Sequence, residues 1–189
     1  AGHAILFHVL PHMDPVYTIS IIPTGMGAAG YTMPLPDNDG MFNTKNKMLE
    51  DITTLLGGRV AEEIIFGDIT TGASNDIKRA TETARSMVMK YGMSEKSGLI
   101  AYGNDDDEVF IGRDLAHTRG YSEEVAREID GEISRIIREC HENAESIIRE
   151  NIGVLHSCAA LLLEKEKIHR EEFEALFTTE KEEVAKTNE

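Results

Sequence analysis

The sequence predicts a mainly α-helical α+β domain carrying a small β-sheet. Apolar residues recur at helical spacing through several long segments from Met48 onward. Short β-branched runs near the start are stopped by prolines and punctuated by glycines. The 189 residues, 41% of them hydrophobic, are enough for one cored domain without disulfide staples.

The chain opens Ala1-Gly2-His3-Ala4-Ile5-Leu6, with no initiator Met and no polar lead-in, which predicts that it starts inside an element. In Val16 to Ile22, Thr18 and Ser20 are set against Tyr17, Ile19 and Ile21, and Pro23 stops the run. This predicts a strand near a sheet edge. Gly25, Gly27 and Gly30 follow, and Ala28 to Met33 is expected as a second short strand ended by Pro34 and Pro36. Asp37-Asn38-Asp39-Gly40 is a turn signal that lacks the spaced ligands of a calcium loop.

Met48, Ile52, Leu55, Leu56, Val60 and Ile64 lie on one face of a helix expected to stop near Phe66-Gly67. After a polar loop, Asp68 to Ser74, a second helix is marked by Ile77, Ala80, Ala84, Met87, Val88 and Tyr91, with Gly92 at its end. Leu99 to Tyr102 and Val109 to Ile111 are strand-like runs flanking an acidic, solvated loop, Asn104 to Glu108. Ser122 is a natural N-cap, with Glu123 and Glu124 in the first turn of a long helix striped by Val125, Ile129, Ile133, Ile136, Ile137, Cys140, Ala144 and Ile147. Asn151 to Gly153 breaks it. Val154 to Glu166 and a short Arg170 to Phe177 helix complete a domain over 1–177, and 178–189 is expected to be an acidic, disordered tail.

Lys and Arg total 19 against 34 Asp and Glu, a net charge of −15, which excludes a nucleic-acid backbone or an anionic membrane surface as the partner. No apolar stretch approaches the length of a bilayer span, and no signal-peptide pattern is present. Cys140 and Cys158 are too few for a disulfide framework and fit a reducing compartment. With His141 and His156 they make no second metal site, because neighbouring helical residues point apart. No phosphate-binding G-x-x-x-x-G-K-[ST] loop occurs.

Three pieces carry chemistry. Ala1-Gly2-His3 matches the end of a His-Glu-Ala-Gly-His form of H-E-x-x-H, whose histidines sit four apart on one helical face and so reach one zinc. A lone histidine at a helix start is otherwise structural. Asp76 follows Thr70-Thr71-Gly72-Ala73-Ser74-Asn75 and falls in the first turn of a helix. It either complements the helix dipole beside a Ser74 or Asn75 cap, or serves as a carboxylate ligand fixed in direction. In Leu56-Gly57-Gly58-Arg59-Val60-Ala61-Glu62-Glu63 the paired glycines suit close helix packing. Glu62 and Glu63 are rival third ligands, or a solvated face with Arg59.

Together with Thr18-Ile19-Ser20-Ile21-Ile22-Pro23, Ala29-Gly30-Tyr31-Thr32, Tyr91-Gly92-Met93-Ser94 and the Tyr121 to Asp130 segment, these pieces resemble, in this order, the peptidase domain of the FtsH family of ATP-dependent zinc metalloproteases. Thr24 stands where the family usually has Arg, and Ser97 where it usually has Leu. The resemblance implies a helical zinc-peptidase domain with a small sheet near the active site. It implies that His3 and Asp76 bind Zn2+, that the first His and the general-base Glu would precede Ala1, and that Glu62 and Glu63 are structural. No catalytic base then lies within the chain, which alone is expected to be inactive. It further implies a substrate-binding edge from Gly27, Ala28, Ala29, Gly30, Tyr31 and Thr32, taking unfolded or membrane polypeptides. A homohexamer is implied, with ATP and Mg2+ bound only by an ATPase domain outside this chain. A bacterial parent would work at the cytoplasmic face of the membrane, while this soluble segment makes no membrane contact. The competing expectation is a catalytically incomplete helical oligomerisation module.

Overall fold

The computed structural model describes residues 1–23, 30–35, 42–96, 98–102 and 121–187, with side chains to 179. Helix α1 (Gly2–Val9) leads into strand β1 (Val16–Ser20), strand β2 (Tyr31–Pro34) and the long helix α2 (Lys45–Phe66). A 3-10 turn at Thr71–Ala73 opens α3 (Ser74–Met89); then come α4 (Glu123–Glu150), α5 (Ile152–Lys165), β3 (Lys167–His169) and α6 (Arg170–Thr187).

The helix ends follow local chemistry. Thr44 Oγ1 accepts from the Lys47 N–H at the start of α2, and Gly67, at φ 62°, closes its end by donating to the Glu63 carbonyl. Ser122 Oγ accepts from the Val125 N–H, with Glu123 and Glu124 beside it, as the sequence predicts. At α3 the expected Ser74 or Asn75 cap is replaced: both lie inside the helix, and Thr70 instead caps the preceding turn by accepting from Gly72 N–H.

The sheet is antiparallel in the order β2-β1-β3. β1 ends at Ser20, short of the expected Ile22, where its partner β3 gives way to the end of α5: in the β1–β3 register Ile21 N–H still donates to the Glu166 carbonyl at 2.9 Å, and Ser20 Oγ to the same oxygen at 3.4 Å. Glu166 is the non-glycine residue with positive φ (61°) among the described residues, a conformation costing about 1–2 kcal/mol, and these bonds offset it. β3 has no counterpart in the sequence reading; three residues with Ile168 as their single buried side chain show no period. Leu99 to Tyr102 forms no strand. Tyr102 N–H instead bonds the Met89 carbonyl at the end of α3, and Leu99 is exposed. Helix α6 continues to Thr187, past the expected end at Phe177. The calls at Thr24, Asp37 to Gly40, Ser97, Asn104 to Glu108 and Val109 to Ile111 lie outside the described residues.

Two apolar cores share α2. The first gathers Ile5 and Leu6 of α1, Ile19 of β1, Val60 of α2, Leu155 of α5, Ile168 of β3 and Phe173 of α6. The second joins Met48, Ile52 and Leu56 of α2 to Met87 and Val88 of α3 and Ile129 and Ile133 of α4. No single helix among the described residues is long and apolar enough to cross a membrane.

Candidate metal centre

His3 is placed by the contact between α1 and α2. A Cβ on Gly2 would stand 2.9 Å from Ala61 Cβ, and one on Gly57 would stand 2.5 Å from Leu6 Cδ1 and 3.3 Å from the Gly2 backbone. The two backbones therefore approach as only glycines permit. With Ala4, Ile5 and Leu6 fully buried, the half-buried His3 ring is left facing α2 and the solvent side. Its Nδ1–H donates to the Thr54 carbonyl at 2.8 Å. A carbonyl only accepts, so the neutral ring carries its proton on Nδ1 and presents a lone pair at Nε2.

That nitrogen points to Asp76, whose Oδ2 lies 3.5 Å away. Asp76 sits in the first turn of α3, where the helix dipole favours its charge, and Arg79 Nη1 stands 3.9 Å from its other oxygen. With the His3 proton on Nδ1, neither Nε2 nor the Asp76 carboxylate donates, so their 3.5 Å approach is not a hydrogen bond. It matches the separation of two ligands on a tetrahedral zinc, about 3.4 Å for bonds of about 2.1 Å. The residues present thus fit zinc as two of its ligands. Among the described residues no group of three His, Cys, Asp or Glu side chains is gathered for a metal.

The pair opens on a cleft of about 550 Å³. Gly30, Tyr31 and Thr32 line it together with His3 and Asp76, and β2 pairs with β1 alone, so its outer backbone edge has no strand partner among the described residues. Gly30 is small for a reason the sequence did not disclose: a Cβ there would stand against the Ser20 carbonyl and 3.0 Å from Ile21 Cα. Gly27, Ala28 and Ala29 lie outside the described residues. Glu62 and Glu63 do not line the cleft. Glu62 accepts from the Thr70 hydroxyl (2.9 Å) and N–H (3.2 Å), Glu63 pairs with His141 Nε2 at 2.9 Å, and Arg59 donates to the Thr70 carbonyl rather than to either. Cys140 and Cys158 are free and sit in separate cores, where burial pushes both thiols up in pKa.

Three cleft residues escaped the sequence reading. Thr54 acts through its carbonyl, which no side-chain motif can announce. Arg79 stands one helical turn after Asp76, a spacing that carries the pairing. Asp51 lines the cleft from α2; burial raises its carboxyl pKa, and the nearby Lys47 ammonium partly opposes this.

Residues 1–176 match the model of peptidase family M41. The chain is 54% identical over 180 residues to the ATP-dependent zinc metalloprotease FtsH 1 of Thermoanaerobacter sp. (strain X514), covering 95% of this chain and 29% of that protein. It is 54% identical over 176 residues to the FtsH of Caldicellulosiruptor bescii, covering 93% and 28%, and 48% identical over 184 residues to that of Thermotoga maritima, covering 97% and 30%. The chain therefore spans under a third of the length of these relatives. By the family model and by these relatives, the chain belongs to peptidase family M41 and is similar to the FtsH zinc metalloproteases.

Proposed function

We propose that this chain is the proteolytic part of an FtsH-like zinc endopeptidase cleaving unfolded or membrane polypeptides, with ATP hydrolysed by a separate segment of the same protein. The observation that carries the reading is the 3.5 Å approach of His3 Nε2 to Asp76 Oδ2, with the His3 proton held on Nδ1 by Thr54. In this reading His3 and Asp76 are zinc ligands, and a second His and the general-base Glu belong immediately before Ala1. When bound, zinc supplies a Lewis acid that acidifies water and polarises the peptide carbonyl.

The chain's own residues supply the rest. His3 offers a neutral, oriented imidazole nitrogen, and Asp76 a charge fixed by the first turn of α3. An extended substrate would add as a strand along the Gly27 to Thr32 segment and the edge of β2 that has no strand partner among the described residues, so that recognition runs through backbone rather than side chains. This suits a protease of broad substrate range. We further infer a homohexamer at the cytoplasmic face of the membrane in a bacterial parent. Exposed apolar side chains such as Phe42, Phe66 and Leu99 are suited to burial against neighbouring subunits.

The test is Asp76→Asn in the complete protein. A neutral amide is the poorer ligand, so zinc content after dialysis should fall from about one per chain to a small fraction, and cleavage of unfolded casein should fall with it. The 189-residue chain alone is expected to cleave no casein. Zinc content and turnover unchanged by Asp76→Asn would remove Asp76 from the site.

A further inference from the structure

We infer that Gly58 is a positioning residue for the metal-facing nitrogen of His3, an inference that rests on the zinc reading above. Gly58 lies inside α2, where alanine is the better helix former, and it is not among the glycines with positive φ. Backbone freedom therefore does not account for it. Space does. A Cβ on Gly58 would stand 2.7 Å from His3 Nε2 and 3.1 Å from His3 Cε1. The imidazole lies over the missing side chain, and the atom closest to it is the one that faces Asp76.

Thr54, one helical turn earlier, completes the seat. Its carbonyl receives the Nδ1–H at 2.8 Å and fixes the tautomer, while the bare Gly58 surface fixes how near the ring lies to α2. Tautomer and ring position are thus set by one strip of helix backbone. Outer-shell control of a ligand imidazole usually falls to a carboxylate or carbonyl; here a carbonyl and an absent methyl group share it.

The neighbouring glycine serves another purpose. A Cβ on Gly57 would meet Leu6 in the first core and the Gly2 backbone, so that substitution forces α1 away from α2. The three atoms nearest to a Cβ on Gly58 all belong to the ring of His3, whose side chain is 31% exposed and can swing into the cleft. Substitution at Gly57 should therefore cost the fold, and substitution at Gly58 should cost the metal.

The experiment compares Gly58→Ala, Gly57→Ala and His3→Ala in the complete protein. It measures zinc affinity by chelator competition, the visible spectrum of the cobalt(II)-substituted protein, and the thermal midpoint of the metal-free form. Gly58→Ala should weaken zinc binding about 10–100-fold, the scale of outer-shell changes, and shift the cobalt bands, with the metal-free midpoint held close to that of the parent. Gly57→Ala should lower that midpoint. If Gly58→Ala leaves affinity and spectrum unchanged while His3→Ala loses zinc, the inference fails and the zinc reading stands. If Gly58→Ala unfolds the protein as Gly57→Ala does, Gly58 is a packing residue and the inference fails. If His3→Ala keeps zinc at full affinity, the zinc reading falls and the inference with it.

Discussion

The two cores are fastened in different ways. The first closes on aromatic and aliphatic contact. Phe173 of α6 is fully buried and stands edge-on to Phe177 at 5.5 Å and to His8 of α1 at 5.9 Å, so α6 braces α1. The second core is apolar too, but its margin is tied by charge. Glu132 of α4, 1% exposed, accepts from Ser94 Oγ at 2.7 Å and from Arg135 at 3.0 and 3.1 Å, with Lys96 4.0 Å away. That carboxylate anchors the segment following α3 to α4. His3 comes from the first region and Asp76 from the helix that heads the second. The proposed ligand pair thus lies where the two regions meet, against α2, which like α4 belongs to both, and its spacing depends on both fastenings.

The contrast can be broken from either side. The largest effect is expected from Phe173→Ala, at about 3–5 kcal/mol of stability, because it empties the centre of the first core; a urea midpoint measures it. Glu132→Ala should cost less, about 1–3 kcal/mol, since Arg135 keeps a second partner in Glu139 and is part-exposed. Limited proteolysis around Ser94 to Lys96 should accelerate in that variant and not in Phe173→Ala of matched stability. Equal acceleration in both would deny that Glu132 anchors the segment.

A smaller effect separates two carboxylates by sign. The hydrogen bonds from Arg135 hold the Glu132 carboxyl below its ordinary range, so its contribution is present above that range and is lost as pH falls through the depressed value. Burial raises the Asp51 carboxyl instead, so the native state binds the extra proton, and stability falls as pH rises from the ordinary value to the raised one. Near neutral pH, Glu132→Gln should be less stable than the parent and Asp51→Asn more stable. Both differences should shrink toward strong acid, as read by urea midpoints across a pH series. A Glu132→Gln deficit that does not shrink in acid would mean that packing, not charge, is what the variant loses.

The sequence was legible where a pattern repeats. The stripe from Met48 to Ile64 and the Ser122 cap with its acidic first turn announce α2 and α4, because period and capping chemistry are local. β3 was not legible, since its three residues are held by β1 and not by their own pattern. The end of β1 was hidden for the same reason: the strand stops where β3, far along the chain, gives way to α5. In the candidate site, His3 and Asp76 were singled out through their surrounding letters. Their spacing, and the service of Thr54 through its carbonyl, belong to the meeting of α1, α2 and α3 and leave no trace in residue identity.

The sharing of α2 sets a rule for how such chains can change length. Adding or deleting one residue between Leu56 and Val60 would turn everything beyond it by about 100°. Val60 would then leave the first core while Met48 and Ile52 stayed in the second. No compensating slide restores both, because the two regions hold the helix at fixed angular positions. Substitutions can accumulate along α2 one at a time, whereas a single-residue insertion there should be lethal to the whole domain, and any surviving length variation should be found between elements rather than within this one.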